Sequence, residues 1–398
     1  MRPHSAAVSM EGMQTSATEA TPAAPDSKTR RLPLLDVLRG LAIVGTLGTN
    51  VWLFTGPGSE GLLLTGNPVA SDGPWIERAV MFATNGKFIS MLTFMFGVGL
   101  AIQYRSAARR GRRWPGRYHW RALFLFLEGT VHFTLVFAFD VLMGYAVAAV
   151  VVAWLLTRSQ RAQRVVMWTA LGLHLAIMGL LTAAMAAYPA AGPDPEAAAE
   201  IEAVYASGSW TEQIGFRLDN LLLFRSELVL AFAMMLFLFL LGVRLFRAGA
   251  FGGDERGRTI RNRMLAWGLG LGLPLNLAMT LGPEYLALAE RYATAPLLAF
   301  GYIGLTGWIV DHVRKGPVMT GLESLGRAAL SGYVLQNLAA SVVCYGWGLG
   351  LAEKTGGSAA FGFGLWAAIS VLLVAGARLW ALRFPSGPAE MLQKRLLR

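Results

Sequence analysis

Stretches of about twenty predominantly apolar residues, the length a helix needs to cross a ~30 Å bilayer core, recur along this chain. The first runs from Leu34 to Phe54, and at ~1.5 Å per residue it spans about 30 Å. Similar runs follow at 88–104, 120–137, 139–156, 165–187, 226–246, 264–282, 292–310, 328–350 and 361–381. A helix satisfies its own backbone hydrogen bonds in lipid. The pattern therefore predicts an all-α, polytopic membrane helix bundle of about ten transmembrane helices. Of 398 residues, 55% are hydrophobic and only 15% charged, whereas soluble globular chains carry about a quarter charged. An ordinary soluble enzyme is excluded. So is an intramolecular disulfide scaffold, because Cys344 is the sole cysteine.

A formal net charge of +11 would point to nucleic acid in a soluble chain. Here position matters more than total. Of the 35 Lys and Arg, 29 fall in the N-terminal part through Arg39 and in segments 105–121, 158–164, 244–263, 312–327 and 378–398. Cytoplasmic loops carry such an excess, so these segments and both termini are expected inside. The outer side keeps Arg78, Lys87, Arg217, Arg225, Arg291 and Lys354, and its segment 189–217 holds Asp194, Glu196, Glu200, Glu202 and Glu212. The expected partner is the lipid bilayer, with no nucleic acid; the sequence leaves the oligomeric state open.

From Ala122 to Leu156 the apolar run is almost unbroken, too long at ~1.5 Å per residue for one crossing. Arg117 and Arg121 precede it, and Arg158, Arg161 and Arg164 follow. A hairpin is expected, turning near Ala138–Asp140 at the outer surface. Residues 1–29 are rich in Ser, Thr, Pro, Ala and Glu, without the apolar core of a signal peptide. They read as a disordered cytoplasmic tail, and 30–398 as a single integral membrane domain. The outer loops 55–87 and 188–225 are expected to hold short interfacial helices, around Trp75, Ile76, Val80 and Met81 and around Ile201, Val204 and Tyr205.

Ionisable groups inside apolar runs are costly, which makes each a candidate site residue. Asp36 and Arg39 are three apart and can pair on one helical face. Arg39 reads either as a snorkelling structural charge or as an anion-binding group at an inner vestibule. Asn50 lies eleven residues further, ~16 Å along the helix, where it can bond another helix or serve chemistry. Glu128 and His132 share a face four residues apart, with Asp140 at the turn above. A histidine oriented by a carboxylate is what a general base acting on a hydroxyl or amine requires. A buried His bonded to a neighbouring helix is the alternative. His174 has no acidic company and reads as packing.

Arg327 opens a later run at the cytoplasmic boundary, followed by Ser331, Tyr333 and Gln336. With Arg39 it could hold an anionic head entering from inside. No HxxxH, HExxH or CxxC spacing occurs, so no metal is expected. Gly97 and Gly99, and Gly268, Gly270 and Gly272, read as small residues at helix contacts. The Arg-rich segment 105–121 reads as a topology determinant touching anionic headgroups.

Asp36-Val-Leu-Arg-Gly-Leu-Ala-Ile, running on to Asn50, resembles the opening helix of the YeiB-like bacterial membrane proteins. So does Lys87-Phe88 leading into Leu92-Thr-Phe-Met-Phe-Gly-Val-Gly99. Glu128-Gly129, His132 and Asp140-Val-Leu-Met-Gly-Tyr-Ala146 look like that family's central signature. Leu325-Gly-Arg-Ala-Ala-Leu-Ser-Gly-Tyr333, Gln336 and Gly387-Pro-Ala-Glu390 are similar to its C-terminal part. The resemblance covers about residues 31–395 and implies a multi-pass protein of the bacterial cytoplasmic membrane. The family in turn looks distantly related to the transmembrane acyltransferase superfamily, which includes bacterial sugar O-acetyltransferases.

That relation implies transfer of an acyl, for instance acetyl, group from cytosolic acyl-CoA to a hydroxyl or amine acceptor: a small molecule, glycan or lipid. Arg39 and the position eleven residues later match the superfamily's first-helix pattern. The later residue is Asn50, where the sugar O-acetyltransferases have His, so the base would have to be His132. On this expectation Arg39 and Arg327 hold the phosphates of acyl-CoA, the co-substrate. His132 is the base, oriented by Asp140 or Glu128, and Asn50 is an oxyanion donor. The alternative is a transporter or flippase of a small or amphipathic molecule, with the buried His and carboxylates as a proton relay. Against it, no repeat and no pair of broken helices can be read; Pro274 is the only proline well inside a run. A non-catalytic membrane scaffold is the third possibility.

Overall fold

A computed structural model describes residues 32–56, 73–188 and 195–397. The tail expected over 1–29, the middle of the 55–87 loop and Asp194 lie outside the described residues. The helices, in chain order, begin with α1 (Pro33–Thr55), α2 (Trp75–Thr84), α3 (Lys87–Arg109), α4 (Tyr118–Leu135) and α5 (Leu142–Leu155). They continue with α6 (Gln160–Ala187), α7 (Pro195–Ala206), α8 (Trp210–Asp219), α9 (Leu221–Ala248), α10 (Glu255–Trp267), α11 (Leu273–Thr280) and α12 (Ala295–His312). The last are α13 (Pro317–Arg327), α14 (Ala329–Cys344), α15 (Ala359–Trp380) and α16 (Pro388–Leu396). No strand occurs among the described residues. The protein is all-α, and each expected run falls on helix.

Among the described residues, six helical stretches are long and apolar enough to cross a membrane: Pro33–Thr55, Trp75–Arg109, Gln160–Ala187, Leu221–Ala248, Glu284–His312 and Ala359–Trp380. Helices α5 and α14 are apolar but shorter. Burial separates centre from rim. The apolar windows of α1 and of Trp75–Arg109 are 78% buried, whereas those of α6 and α15 are 17% buried. The rim helices point Leu180, Val371 and Leu372 outward. Continuous apolar surface of that kind suits lipid rather than water.

At the centre, α1 packs on α3, α13, α14 and α15. Its closest approach uses glycine. A Cβ on Gly40 would lie 2.0 Å from the Leu322 carbonyl oxygen, and one on Gly326 would lie 1.7 Å from that of Asp36. Backbone meets backbone there, with no flexible side chain to yield. Gly40→Ala is therefore expected to force α1 and α13 apart, costing about 1–3 kcal/mol or more. Gly270→Ala, which meets open space, should be neutral or slightly stabilising. Thermal unfolding in detergent checks the contrast, and equal midpoints for the two variants would refute it.

The 122–156 run folds as expected into a hairpin, α4 and α5 joined through residues 136–141. The turn is covered by protein. Phe137, Ala138, Phe139 and Asp140 are all buried, because the described part of the 188–225 loop, residues 195–225, folds over them. That loop is more than an interfacial strip: Tyr205 on α7 is fully buried, as is Arg217 on α8. By contrast, α2 keeps Trp75 exposed while burying Val80 and Met81.

Two helices contain π turns, at Gly268–Gly272 between α10 and α11 and at Glu290–Thr294 before α12. The sequence offered no pair of broken helices, but a π turn needs only a shift from i→i+4 to i→i+5 bonding, not a proline. Gly268 and Gly272 pack against Gly301 and Leu298, as small contact residues should, whereas a Cβ on Gly270 would point into open space.

Candidate functional site

The end of α4 exposes a problem common to helices: the last carbonyls have no partner within the helix. Two side chains from the loop supply them, and Arg225 on α9 bonds the turn that follows. Arg217 Nη1 donates to Thr134 O at 2.9 Å, and Trp210 Nε1 to Leu135 O at 2.8 Å. Arg225 donates to Ala138 O and, at 2.9 Å, to Asp140 O. Cations at a helix C-terminus also complement its dipole. The Arg225 guanidinium stands 3.9 Å from the Phe133 ring centroid. Asp140 lies two residues before α5, its Oδ1 accepting from Leu142 N at 2.9 Å in a local side-chain-to-backbone bond.

The other carboxylate oxygen of Asp140 is thereby aimed at His132. His132 Nδ1 lies 2.8 Å from Asp140 Oδ2, and Asn337 Nδ2, on α14, lies 3.3 Å from His132 Nε2. An amide nitrogen can only donate, so Nε2 is the acceptor and Nδ1 carries the proton toward Asp140. Asn50 Nδ2, on α1, reaches Asn337 Oδ1 at 3.5 Å. One polarised chain therefore runs Asn50–Asn337–His132–Asp140 across three packed elements. His132, Asp140 and Asn337 are buried, and the Tyr333 ring stands 5.2 Å from the imidazole. Beside the chain lies a cavity lined by Thr46, Thr49, Asn50, Tyr333, Glu227 and Arg291, with about 20 Å³ open to the centre of a water molecule. That admits about one water.

A second polar group closes the far wall. Lys87 Nζ bonds Glu290 Oε1 at 2.9 Å, with both side chains buried. Arg291 donates to Asn85 Oδ1 and to Glu227 Oε1, the latter at 2.8 Å, and Tyr292 OH donates to Glu227 at 2.5 Å. Glu290, Arg291 and Tyr292 all sit in the π turn 290–294. The widened turn lets three consecutive residues face inward.

His132, Asp140 and Asn50 thus converge. Glu128 does not join them; its Oε2 is buried without a hydrogen-bond partner, and Asp140 alone orients the imidazole. Arg39 and Arg327 stand elsewhere, on α1 and α13 next to the Gly40 and Gly326 contacts. Arg39 Nη1 bonds Asp36 at 3.1 Å, and Arg327 Nη2 bonds Ser324 Oγ at 2.9 Å. Ser331 and the backbone of Leu330 bind Glu390 at 2.6 and 2.8 Å, docking the C-terminal α16 on the start of α14. Gln336 Nε2 donates to Thr46 Oγ1 at 3.3 Å. His174 packs as expected, its Nε2 3.0 Å from Tyr292 O.

Sequence reasoning missed Asn337, Glu227 and Glu290, and counted Lys87, Arg217, Arg225 and Arg291 as outer-loop charges. One signal was available. On the side where basic residues should be scarce, each one that persists needs a reason, and Lys87, Arg217, Arg225 and Arg291 each bond a residue on another element.

A family profile described as "Protein of unknown function (DUF418)" matches residues 245–398. The "Uncharacterized protein YxaH" of Bacillus subtilis (strain 168) is 27% identical over 390 residues, 92% of this chain and 94% of that protein. The "Uncharacterized protein YeiB" of Escherichia coli (strain K12) is 27% identical over 384 residues, 91% of this chain and 95% of that one. The chain is similar to both uncharacterized proteins over nearly its whole length. The similarity to both proteins spans the elements that carry Asn50, His132, Asp140 and Asn337, while the DUF418 match begins after His132 and Asp140 and takes in Glu290, Arg291, Arg327 and Asn337.

Proposed function

We propose that the protein is a multi-pass acyltransferase of the bacterial cytoplasmic membrane. About ten helices would thread the bilayer with both termini inside, as the ten runs and the one-sided basic residues support. It would move an acyl group from cytosolic acyl-CoA to a hydroxyl or amine acceptor in the outer half of the membrane. The observation that carries this reading is the tautomer built into Asp140–His132–Asn337, which leaves the Nε2 lone pair free of a proton.

In the proposed step Nε2 takes the acceptor's proton, and the acceptor's oxygen or nitrogen bonds to the thioester carbonyl carbon. The carbon–sulfur bond breaks, and the imidazolium returns the proton to the leaving thiolate. Asn50 donates to the developing oxyanion. Asn337 has to yield Nε2 to the acceptor, and a cavity the size of one water has to widen, so the described arrangement is the closed state of such a site. Arg39 and Arg327 would hold the phosphates. Arg39 already shares its charge with Asp36, which leaves Arg327 the freer cation.

Equilibrium binding of acyl-CoA to the purified protein in detergent tests this. Arg39→Ala and Arg327→Ala should each weaken binding about tenfold or more, the worth of one hydrogen bond to a charged group. Wild-type protein without saturable binding, or unchanged affinity in both variants, overturns the reading.

One observation favours a second reading, a transporter or flippase. Two π-interrupted helices are bridged where Asn276 Nδ2 donates to Thr294 Oγ1 at 2.9 Å, and the second contributes Glu290 and Arg291 to ion pairs beside the cavity. Such interruptions form sites in transporters. Proteoliposome uptake that is indifferent to CoA and abolished by Glu290→Gln decides for it.

A further inference from the structure

Helices α6 and α9 pack side by side in opposite directions, and between the first turns of α6 and the last of α9 lies a pocket of about 400 Å³. Gln163 and Arg164 come from one helix, Arg244 and Arg247 from the other, and Met167 and Leu240 give it an apolar floor. No carboxylate lines it. Arg247 Nη1 donates to Gln163 Oε1 at 2.8 Å, and its guanidinium stands 5.7 Å from the Tyr104 ring centroid, so that cation is held in place. Neither Arg164 nor Arg244 has a hydrogen bond or ion pair among the described residues.

Three guanidiniums around one opening repel each other until an anion sits between them. Planar donors of this kind favour phosphate. The setting selects among phosphates. Both helices are of membrane-spanning length, and α6 is a rim helix with 17% of its apolar window buried. The pocket opens at their ends, the level of lipid headgroups. From its mouth the outward face of α6 continues apolar, with Val165 57% and Trp168 55% exposed and Trp168 against Phe237 at 6.0 Å. A soluble anion would use the arginines and leave that wall bare, whereas a lipid would use both.

We propose that this pocket is a binding site for one anionic phospholipid, its phosphate held by Arg164, Arg244 and Arg247 and its acyl chains laid along α6. Basic pockets between membrane helices take anionic headgroups in this way. The site is independent of the acyl-transfer reading.

Native mass spectrometry of the purified protein, titrated with phosphatidylglycerol or phosphatidylcholine of the same chains, tests the proposal. Phosphatidylglycerol should bind at least about tenfold more tightly. Arg164→Gln should weaken it about fivefold, and Arg164→Gln with Arg244→Gln and Arg247→Gln about a hundredfold. Arg158→Gln, outside the pocket, should change nothing. Equal binding of the two lipids, or a triple variant that binds phosphatidylglycerol like wild type, overturns the site. Displacement of the lipid by glycerol 3-phosphate at matched concentration overturns the lipid as its occupant. Should the triple variant fail to fold, the single Arg164→Gln change on the rim helix and the wild-type lipid preference carry the test.

Discussion

His132→Ala is expected to lower acyl transfer by about 10²–10⁴-fold, the usual worth of a positioned general base, while acyl-CoA binding stays unchanged. The alanine variant leaves Asp140 without its imidazole, although the carboxylate keeps the backbone N–H of Leu142 at 2.9 Å. Asp140→Asn is therefore the sharper change. Its amide can donate to Nδ1 and drive the proton to Nε2, giving a histidine that is present and correctly placed but no longer a base. A tautomer reversal of this kind costs about 10⁴-fold. Asn50→Ala should lose about 10²–10³-fold, the value of one oxyanion donor. Single-turnover transfer from radiolabelled acyl-CoA, read alongside binding, separates these effects. Wild-type rates in His132→Ala would sink the assignment.

The largest effect on stability is expected at Lys87. Its ammonium has one carboxylate partner, Glu290 at 2.9 Å, and both are removed from solvent. Lys87→Met leaves Glu290 buried without its cation, and breaking such a pair from one side costs about 3–5 kcal/mol. Lys87→Met with Glu290→Leu removes both charges and should recover most of the loss, because apolar replacements of a whole buried pair are often neutral. Unfolding midpoints in detergent for the three proteins check the pattern. A single variant as stable as wild type would show that the pair carries no structural weight.

The runs of apolar residues were legible in the sequence because a lipid-spanning helix must be apolar along nearly its whole length, a constraint that acts on contiguous residues. The hairpin at 136–141 was legible for a related reason: length and flanking arginines forbid one long helix. His132 and Asp140 could be linked because eight residues separate them across a single turn. Asn337 could not. It lies more than two hundred residues from His132, and a polar residue on a helix does not announce which neighbour it faces. The partners of Lys87, Arg225 and Arg291 were not legible, because a charge bias describes averages over loops and not the neighbours of one side chain. The π turns escaped because a change of backbone bonding needs no marker residue.

The sequence by itself determined that the chain from about residue 31 on is built of apolar helices, that most of its basic residues cluster between alternate apolar runs, and that a histidine and a carboxylate meet at one turn. All of these follow from composition and spacing along the chain. Only the tertiary structure decided the tautomer of His132, through an asparagine brought in on α14, and the release of Glu128 from the site. It alone placed Glu227 and Arg291 on the wall of the cavity that Asn50 lines, and paired Lys87 with Glu290 next to them. The physical reason is burial. Inside the bundle each polar group must find a partner where the packing puts one, and packing brings together residues that the sequence keeps far apart.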